Sequence, residues 1–470
     1  VIRTIQGNMA FRHHLRDLPI DVGAGNPGAV GVDYVGNNNA SIENVVLRAG
    51  PDSGAVGLDM RRYGPGPLLV TDLTVEGFAT GIGVAHREYA PTPQRVTLTG
   101  QREVGIANDG NSLSMVQVLS RNAVPAVVSR GGTASVALLD RWLEGTGGAG
   151  TAAIVSEAAV LLRNVTAPGY ASVLEQDGER LPGTEVTEHH AGTTGHAPFA
   201  AAARTLGLPV VEAPTAPEVP AADWALFRPR GYNEDKGQVQ GLFDSGVAFP
   251  FETYFLHNEI DVPCSVRRVT GFGAAINGTD GVDLTLRVAQ DCDTPLVVED
   301  FGYGAHVVHE GARTVVLRHG GFGYRSTAGA GDLFLENVCC FPLTGQPGQD
   351  VWARQLDIEF RPLQIDNAGG NLWSSDTRPR AAACSPTPST AAAPRSSVAW
   401  RTRSRRTTGT PRPRRSGAVN SRQSIWISGS NYAPPGLYRT YVEETRDGRT
   451  VPVAAEDAPG WRLFSGAADG

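Results

Sequence analysis

Two carboxylates two positions apart, Asp357 and Glu359 in the segment RQLDIEF, are the residues whose types and spacing point most directly to chemistry. Positions i and i+2 of a strand share a face. Two ionised carboxylates facing a dry core would be very costly, so this face is expected to be wet. Paired carboxyl groups flanking a bond between sugars are what glycoside hydrolysis requires, one as acid and the other as base or nucleophile. Glu359 is the leading acid/base candidate, with Asp357 beside it and Asp366 half a coil later. Its bland alternative is an ordinary solvated carboxylate.

A second polar group, EDFGYGAHVVHEG, holds Asp300, Tyr303, His306, His309 and Glu310. Carboxylate, phenol and imidazole together suit a hydroxyl-rich ligand. His306 and His309 would point to opposite faces of a strand, which argues against a metal pair. Upstream, Asp59, Arg61 and Arg62 in GLDMRRYGPG are candidates for a substrate-facing groove, with charged coil surface as the alternative. Trp142, Trp352 and Trp373 are candidate sugar-stacking platforms or core residues. Asn108, Asn337 and Asn371 are candidates for stacked asparagines at the corners of a coil.

The elements that must position these groups repeat. Between Leu68 and Gly110, DLTVEGF…TGIGVA is followed by RVTLTGQ…VGIANDG. Each copy is an alternating run, a small-residue corner, a second apolar run near a glycine, then a polar loop. Alternation over four to six residues marks a half-buried strand. Neither copy can bury its apolar face alone, so stacked coils sharing one core are implied. Further first strands centre on Leu18, Val46, Val116, Leu138 and Leu162. Room for three short strands per coil and no long helical pattern points to a parallel β-helix. A β-propeller, the runner-up, needs longer blades.

The chain has 470 residues, with Gly 57 and Pro 32 and hydrophobic residues at 41%. That suits an all-β repeat protein with a real core. A net charge of −7 argues against nucleic acid as the main partner. There is no apolar run of membrane-spanning length. Five cysteines without metal-like spacing read as small buried hydrophobes. Nucleotide loops, a supported Ser-His-Asp set and zinc spacing are not seen, so no cofactor and no metal site are expected. The chain opens inside a repeat, which suggests a truncated first β-helix over residues 1–181 and a missing native N-terminus.

Residues 182–222 are rich in Pro and Ala, and LPVVEAPTAPEVP reads as an extended, semi-rigid linker. A second array follows over 223–373, opening GYNEDKGQVQGLFDSGVAFPFETYFLHNEIDVP. Lys236 to Ser245 is expected to form a short amphipathic helix bearing Val239, Leu242 and Phe243 on one face. This opening resembles that of the pectate-lyase-superfamily β-helix domain of the rhamnogalacturonase/epimerase-like type, where a capping helix precedes a "YFPxGTY" strand. Two such domains joined by a Pro-rich linker resemble glycoside hydrolase family 55, the β-1,3-glucanases. The resemblance implies two tandem right-handed parallel β-helices of the single-stranded, pectin-lyase-like fold. It further implies a secreted, monomeric enzyme acting on a polysaccharide or oligosaccharide. The similar glucanases continue after the equivalent of NLW with a Lys-Thr-Glu-like strand, whose Glu would partner Glu359. Here those positions read SSDTRPR.

Residues 374–423 carry 11 arginines and no Leu, Ile, Phe, Glu or Lys. The whole chain has one lysine, Lys236, among 41 basic residues, which suggests a GC-rich gene. Two compensating frame errors would generate this composition, and disorder is expected across it. Closing strands are expected over 424–470, where LYRTYVEETRDGRTVPV has a DG turn. Two further functions remain open: a polysaccharide lyase, which needs clustered Asp for Ca²⁺, and a non-catalytic glycan-binding or structural β-helix.

Overall fold

The computed structural model describes residues 2–5, 10–64, 66–86, 90–147, 150–192, 194–197, 210–216, 218–227, 240–243, 246–250, 253–256, 259–277, 284–339, 343–359, 365–380, 398–404, 423–427, 440–446, 449–454 and 462–466. They form an all-β parallel solenoid of about 13 turns in total. The chain divides into two compact units, one of Val1–Thr194, Trp426–Asn431 and Gly460–Leu463, the other of Gly195–Ile425, Tyr432–Pro459 and Phe464–Gly470.

In the first unit the long strands His14–Asp21, Ala40–Arg48, Leu68–Glu76, Pro91–Thr99, Ser112–Asn122, Ser135–Gly145 and Ala159–Thr166 stack in parallel, each on the next. Short strands from Val30–Asp33 to Ser172–Gln176 form the opposing sheet. Each long strand bends at one residue of positive φ: Asp17, Asn44, Asp72, Arg95, Gln117, Asp140 and Asn164. The bend shifts the alternation by one. In Leu68–Glu76, Leu68 and Val70 face the core before Asp72, whereas Leu73 and Val75 face it afterwards. Two legs and one short strand thus give the three strand segments expected per coil. Asp and Asn tolerate the left-handed conformation better than most residues.

Glycines set the other corner. Gly31, Gly57, Gly81 and Gly105 occupy equivalent places in four coils, and each backbone lies against the carbonyl of the following coil. A Cβ would meet that oxygen at 2.6 Å from Gly31, 2.7 Å from Gly57 and 2.5 Å from Gly81. The stack ends where Glu185–Ala191 pairs antiparallel with Ala159–Thr166, because an antiparallel strand cannot propagate the coil.

In the second unit a parallel sheet runs through Trp224–Leu226, Gly246–Ala248, Arg268–Thr270, Leu296–Glu299, Val315–Ser326, Leu333–Cys339, Asp350–Glu359 and Asn371–Arg380. Its bends again carry positive φ, at Asp300, His319, Asn337 and Gln355. A second sheet joins Glu259–Asp261, Leu284–Val288, Ala305–His309 and the far leg of Val315–Ser326. A third stacks Leu343–Gly345, Ile365–Asn367, Val398–Ser404 and Thr440–Arg446, closed by the antiparallel strand Arg449–Ala454.

Several expectations need amendment. The strand pattern does not stop at Trp373 but continues to Arg380, and Val398–Ser404 is also a strand. Residues 381–397 and 405–422 of the basic stretch lie outside the described residues, as does all of the expected helix Lys236–Ser245 except 240–243. The cysteines are not simply small hydrophobes. Cys264 and Cys292 form a disulfide with a Cα–Cα distance of 5.7 Å, and Cys339 is disulfide-bonded as well. A sequence separation of 28 places Cys264 and Cys292 side by side only once the coil length is known.

Candidate functional site

The outer face of the second unit carries two rows, one apolar and one charged. Along the strands, Val297, Val316, Phe334 and Trp352 are in register, and two residues further on so are Glu299, Arg318, Glu336 and Arg354. Glu299, almost fully buried, accepts from Arg318 at 2.6 Å and pairs with Arg268. The guanidinium of Arg354 is buried too. It donates to Glu336 Oε1 at 3.0 Å, to Glu212 Oε2 at 3.1 Å and to the Val211 carbonyl at 2.7 Å. Val211, Ala213 and Ala216 pack on the apolar row, where Phe334 and Trp352 stack with centroids 4.7 Å apart. The Pro-rich stretch is therefore a strap laid on the second unit, at least over its described residues. Sequence reasoning missed this row, although hydrogen-bonded partners 19 and 18 residues apart follow the coil period.

Past the bend, a stripe gathers several of the predicted residues. Tyr303 is 46% exposed, and Phe272, which sequence reasoning passed over, is 58% exposed. Alongside Tyr303 the next coil carries glycine: a Cβ at Gly321 would sit 3.3 Å from Tyr303 Cα. The imidazole of His306 lies over Gly323, where a Cβ would clash with Nδ1. Gly321 is in register with Cys339, and Cys339 with Asp357. At roughly 4.8 Å per strand, Asp357 lies about 10 Å along the stack from Gly321. Alternation sets Asp357 on the face opposite Leu356 and Ile358, which are core residues.

That face is not wet as expected. Asp357 is 1% exposed, and neither carboxylate oxygen has a hydrogen-bond partner among the described residues. The neighbouring Cys339 is buried as well, so the face is closed over at this rung. Buried polar atoms without partners are rare, and a functional ligand is one standard reason for them. Glu359 ends its strand in register with Arg380, but its side chain lies outside the described residues. Asp366 belongs to another sheet, in register with Thr344 and Arg401, and its Oδ1 is also buried without a partner among the described residues.

The remaining candidates are dispersed. Glu310 accepts from Arg287 at 2.9 Å, and Arg287 also pairs with Asp261 at 3.2 Å. The bond and charge of Glu310, and after them those of Asp261, raise the Arg287 pKa. Asp300 holds the bend, donating its backbone N–H to the Arg318 carbonyl. Trp373 is 3% exposed with the Arg354 guanidinium 5.9 Å from its ring, so it offers no open stacking face. In the first unit Asp59 and Arg61 hold one another through two bonds of 2.8 Å. Burial disfavours the Asp59 anion, yet the Arg61 bonds and the Arg61 and Arg62 charges outweigh it and lower its pKa. Arg62 is spent on Asp33 and the Thr4 carbonyl. Among the corner asparagines, Asn337 occupies a bend and pairs with His319 at 3.1 Å. Asn108 is buried and accepts from the Asn111 N–H at 2.9 Å, while Asn371 donates to Asp350 at 2.6 Å.

Behind the stripe, His309 is fully buried between Tyr324 Oη at 2.9 Å and the Arg313 carbonyl at 2.6 Å. Burial pulls its pKa down to about 4, so it is neutral at pH 7. Arg313 turns its guanidinium onto the carbonyls of Pro263, Val266, Thr294 and Pro295, tying the disulfide-bearing turns together. Burial lowers its pKa to about 10. Among the described residues no group of three His, Cys, Asp or Glu is placed to hold a metal, and no helix is long and apolar enough to cross a membrane. No protein-family model and no curated protein matches the chain.

Proposed function

We propose that the chain is a carbohydrate-active β-solenoid, a glycoside hydrolase acting on a β-glucan of the β-1,3 type through Asp357 and Glu359. The observation that carries the reading is Asp357. It is enclosed, its carboxylate oxygens are unpartnered among the described residues, and its row leads through Cys339 and Gly321 to the neighbourhood of the exposed ring of Tyr303. A sugar ring stacking on Tyr303 would extend over Gly321, with the His306 imidazole, which lies over Gly323, at its edge. Disulfides support an oxidising, extracellular setting.

A non-catalytic glycan-binding role is the second reading. It is favoured by SSDTRPR at the positions where the similar glucanases carry a second carboxyl. The lyase alternative has no acidic cluster in its favour among the described residues. Reducing-end release from a polysaccharide panel led by a β-1,3-glucan tests the choice. The wild-type chain is expected to cleave, and Asp357→Asn and Glu359→Gln to lose on the order of 10²-fold or more in rate. Cleavage unchanged in both variants removes the carboxylate assignment. No cleavage by any chain, with glycan still retained, selects the second reading.

A further inference from the structure

Outside this stripe, the first unit presents a row that no role yet accounts for. Beyond the bends, Val46, Thr74, Thr97, Leu119, Trp142 and Thr166 are in register across six consecutive coils. Most of the row is polar or β-branched. Leu119 and Trp142 stand out, directly paired and 39% and 51% exposed. Strands in this sheet alternate faces, so an outward tryptophan is not there to fill the core. Leu143, beside it, does that and is fully buried.

The groups around the ring are polar and already neutralised. Two residues further along the strands, Arg121 and Glu144 pair at 2.9 Å and Arg48 and Glu76 at 2.8 Å. On the other side of Trp142, Asp140 accepts from Asn164 at 2.8 Å and pairs with Arg163 at 3.1 Å. The indole thus lies between two lines of hydrogen-bonding groups repeated at the coil spacing, roughly 4.8 Å. Because these cations are matched by anions, the surface has no excess charge with which to select an acidic or basic ligand. Two exposed apolar side chains are too few for a stable protein interface, which buries about 800 Å² per partner.

We propose that the Leu119–Trp142 row is a binding surface for an uncharged glycan, with a pyranose ring stacked on Trp142 and hydroxyls bonded to the Arg121–Glu144 and Asp140–Asn164 groups. The apolar face of a sugar ring matches the indole, and its equatorial hydroxyls match polar groups at the ring's edges. This surface belongs to the first unit and does not depend on hydrolysis at Asp357.

Native affinity electrophoresis of the full chain in gels containing a soluble neutral β-1,3-glucan, or an acidic polyuronate, tests it. Tyr303→Ala serves as the background, so that retention reports the first unit. In that background retardation by the neutral glucan is expected, with none by the polyuronate. Adding Trp142→Ala is expected to weaken binding at least tenfold, whereas Trp142→Tyr retains most of it. Leu119→Lys, which leaves the ring in place, is expected to weaken binding to a smaller degree. Equal retardation with and without Trp142, or no retardation by the neutral glucan, overturns the proposal. Absence of hydrolysis by the wild-type chain, with this retardation intact, would instead strike at the Asp357 reading alone.

Discussion

Both units bend their long strands at left-handed corners, yet they use those corners oppositely. In the first unit the corner residues look outward and pair with one another. Asn44 donates to Asp17 at 2.8 Å, Arg95 to Asp72 at 2.7 Å and Asn164 to Asp140 at 2.8 Å. In the second unit His319, Asn337 and Gln355 occupy the same kind of corner but are buried. One backbone device thus makes a solvated polar ladder in one place and the enclosed floor of a covered face in the other. Covering is what gives polar groups leverage, since a buried polar atom must find a partner or remain costly. Asp357, whose oxygens lack a partner among the described residues, lies in the second unit, whereas the corner carboxylates Asp17, Asp72 and Asp140 of the first are each paired.

The comparison can be broken at its shared foundation, the close contact between coils. Gly81→Val places a Cβ 2.5 Å from the Gly105 carbonyl and 3.1 Å from Leu98, neither able to retreat without moving a coil. A loss of at least about 4 kcal/mol in urea unfolding is expected. Gly132→Val, with nothing within 4 Å of its Cβ, is the control and should leave the midpoint nearly unchanged.

A smaller effect separates the units by pH. His309 has a pKa of about 4 when folded and an ordinary value near 6.5 when unfolded. Below pH 6.5 the unfolded chain takes up a proton that the folded chain refuses. The stability from neutral His309 is therefore complete above 6.5 and falls as pH drops toward 4. About 3 kcal/mol is at stake across that window. Unfolding of the second unit, followed by exchange at its strands, should show this slope, and His309→Gln should flatten it.

The smallest effect sharpens the contrast of the corners themselves. Asn164→Ala and Asn337→Ala incur the same left-handed backbone penalty, so it cancels between them. The exposed Asn164 loses one solvated bond, whereas the buried Asn337 loses its bond to His319 in a closed setting. Asn337→Ala is expected to cost about 1 kcal/mol more. Equal costs would mean that the two corners are not differently enclosed.

The coil architecture was legible because Leu73 and Val75, or Leu98 and Val96, alternate visibly and recur at the coil length. The bends were half legible. Asp17, Asn44 and Asp72 are residues that favour positive φ, but Arg95 and Gln117 take the same conformation under the constraint of the coils above and below. The Cys264–Cys292 bridge and the Glu299–Arg354 row were hidden because each depends on the number of residues per coil. Asp357 was legible as one of two carboxylates on one strand face, but its burial was not foreseen. Burial is decided by what closes over a face, and alternation within one strand carries no information about that.

Hydrogen–deuterium exchange with and without a β-1,3-glucan oligosaccharide tests the central claim, that the stripe from exposed Tyr303 to enclosed Asp357 engages sugar. The account predicts added protection in Ala305–His309, the far leg of Val315–Ser326 and Asp350–Glu359, abolished by Asp357→Asn together with Tyr303→Ala. Protection absent from these strands in the wild-type chain, at oligosaccharide concentrations that saturate binding, would contradict it.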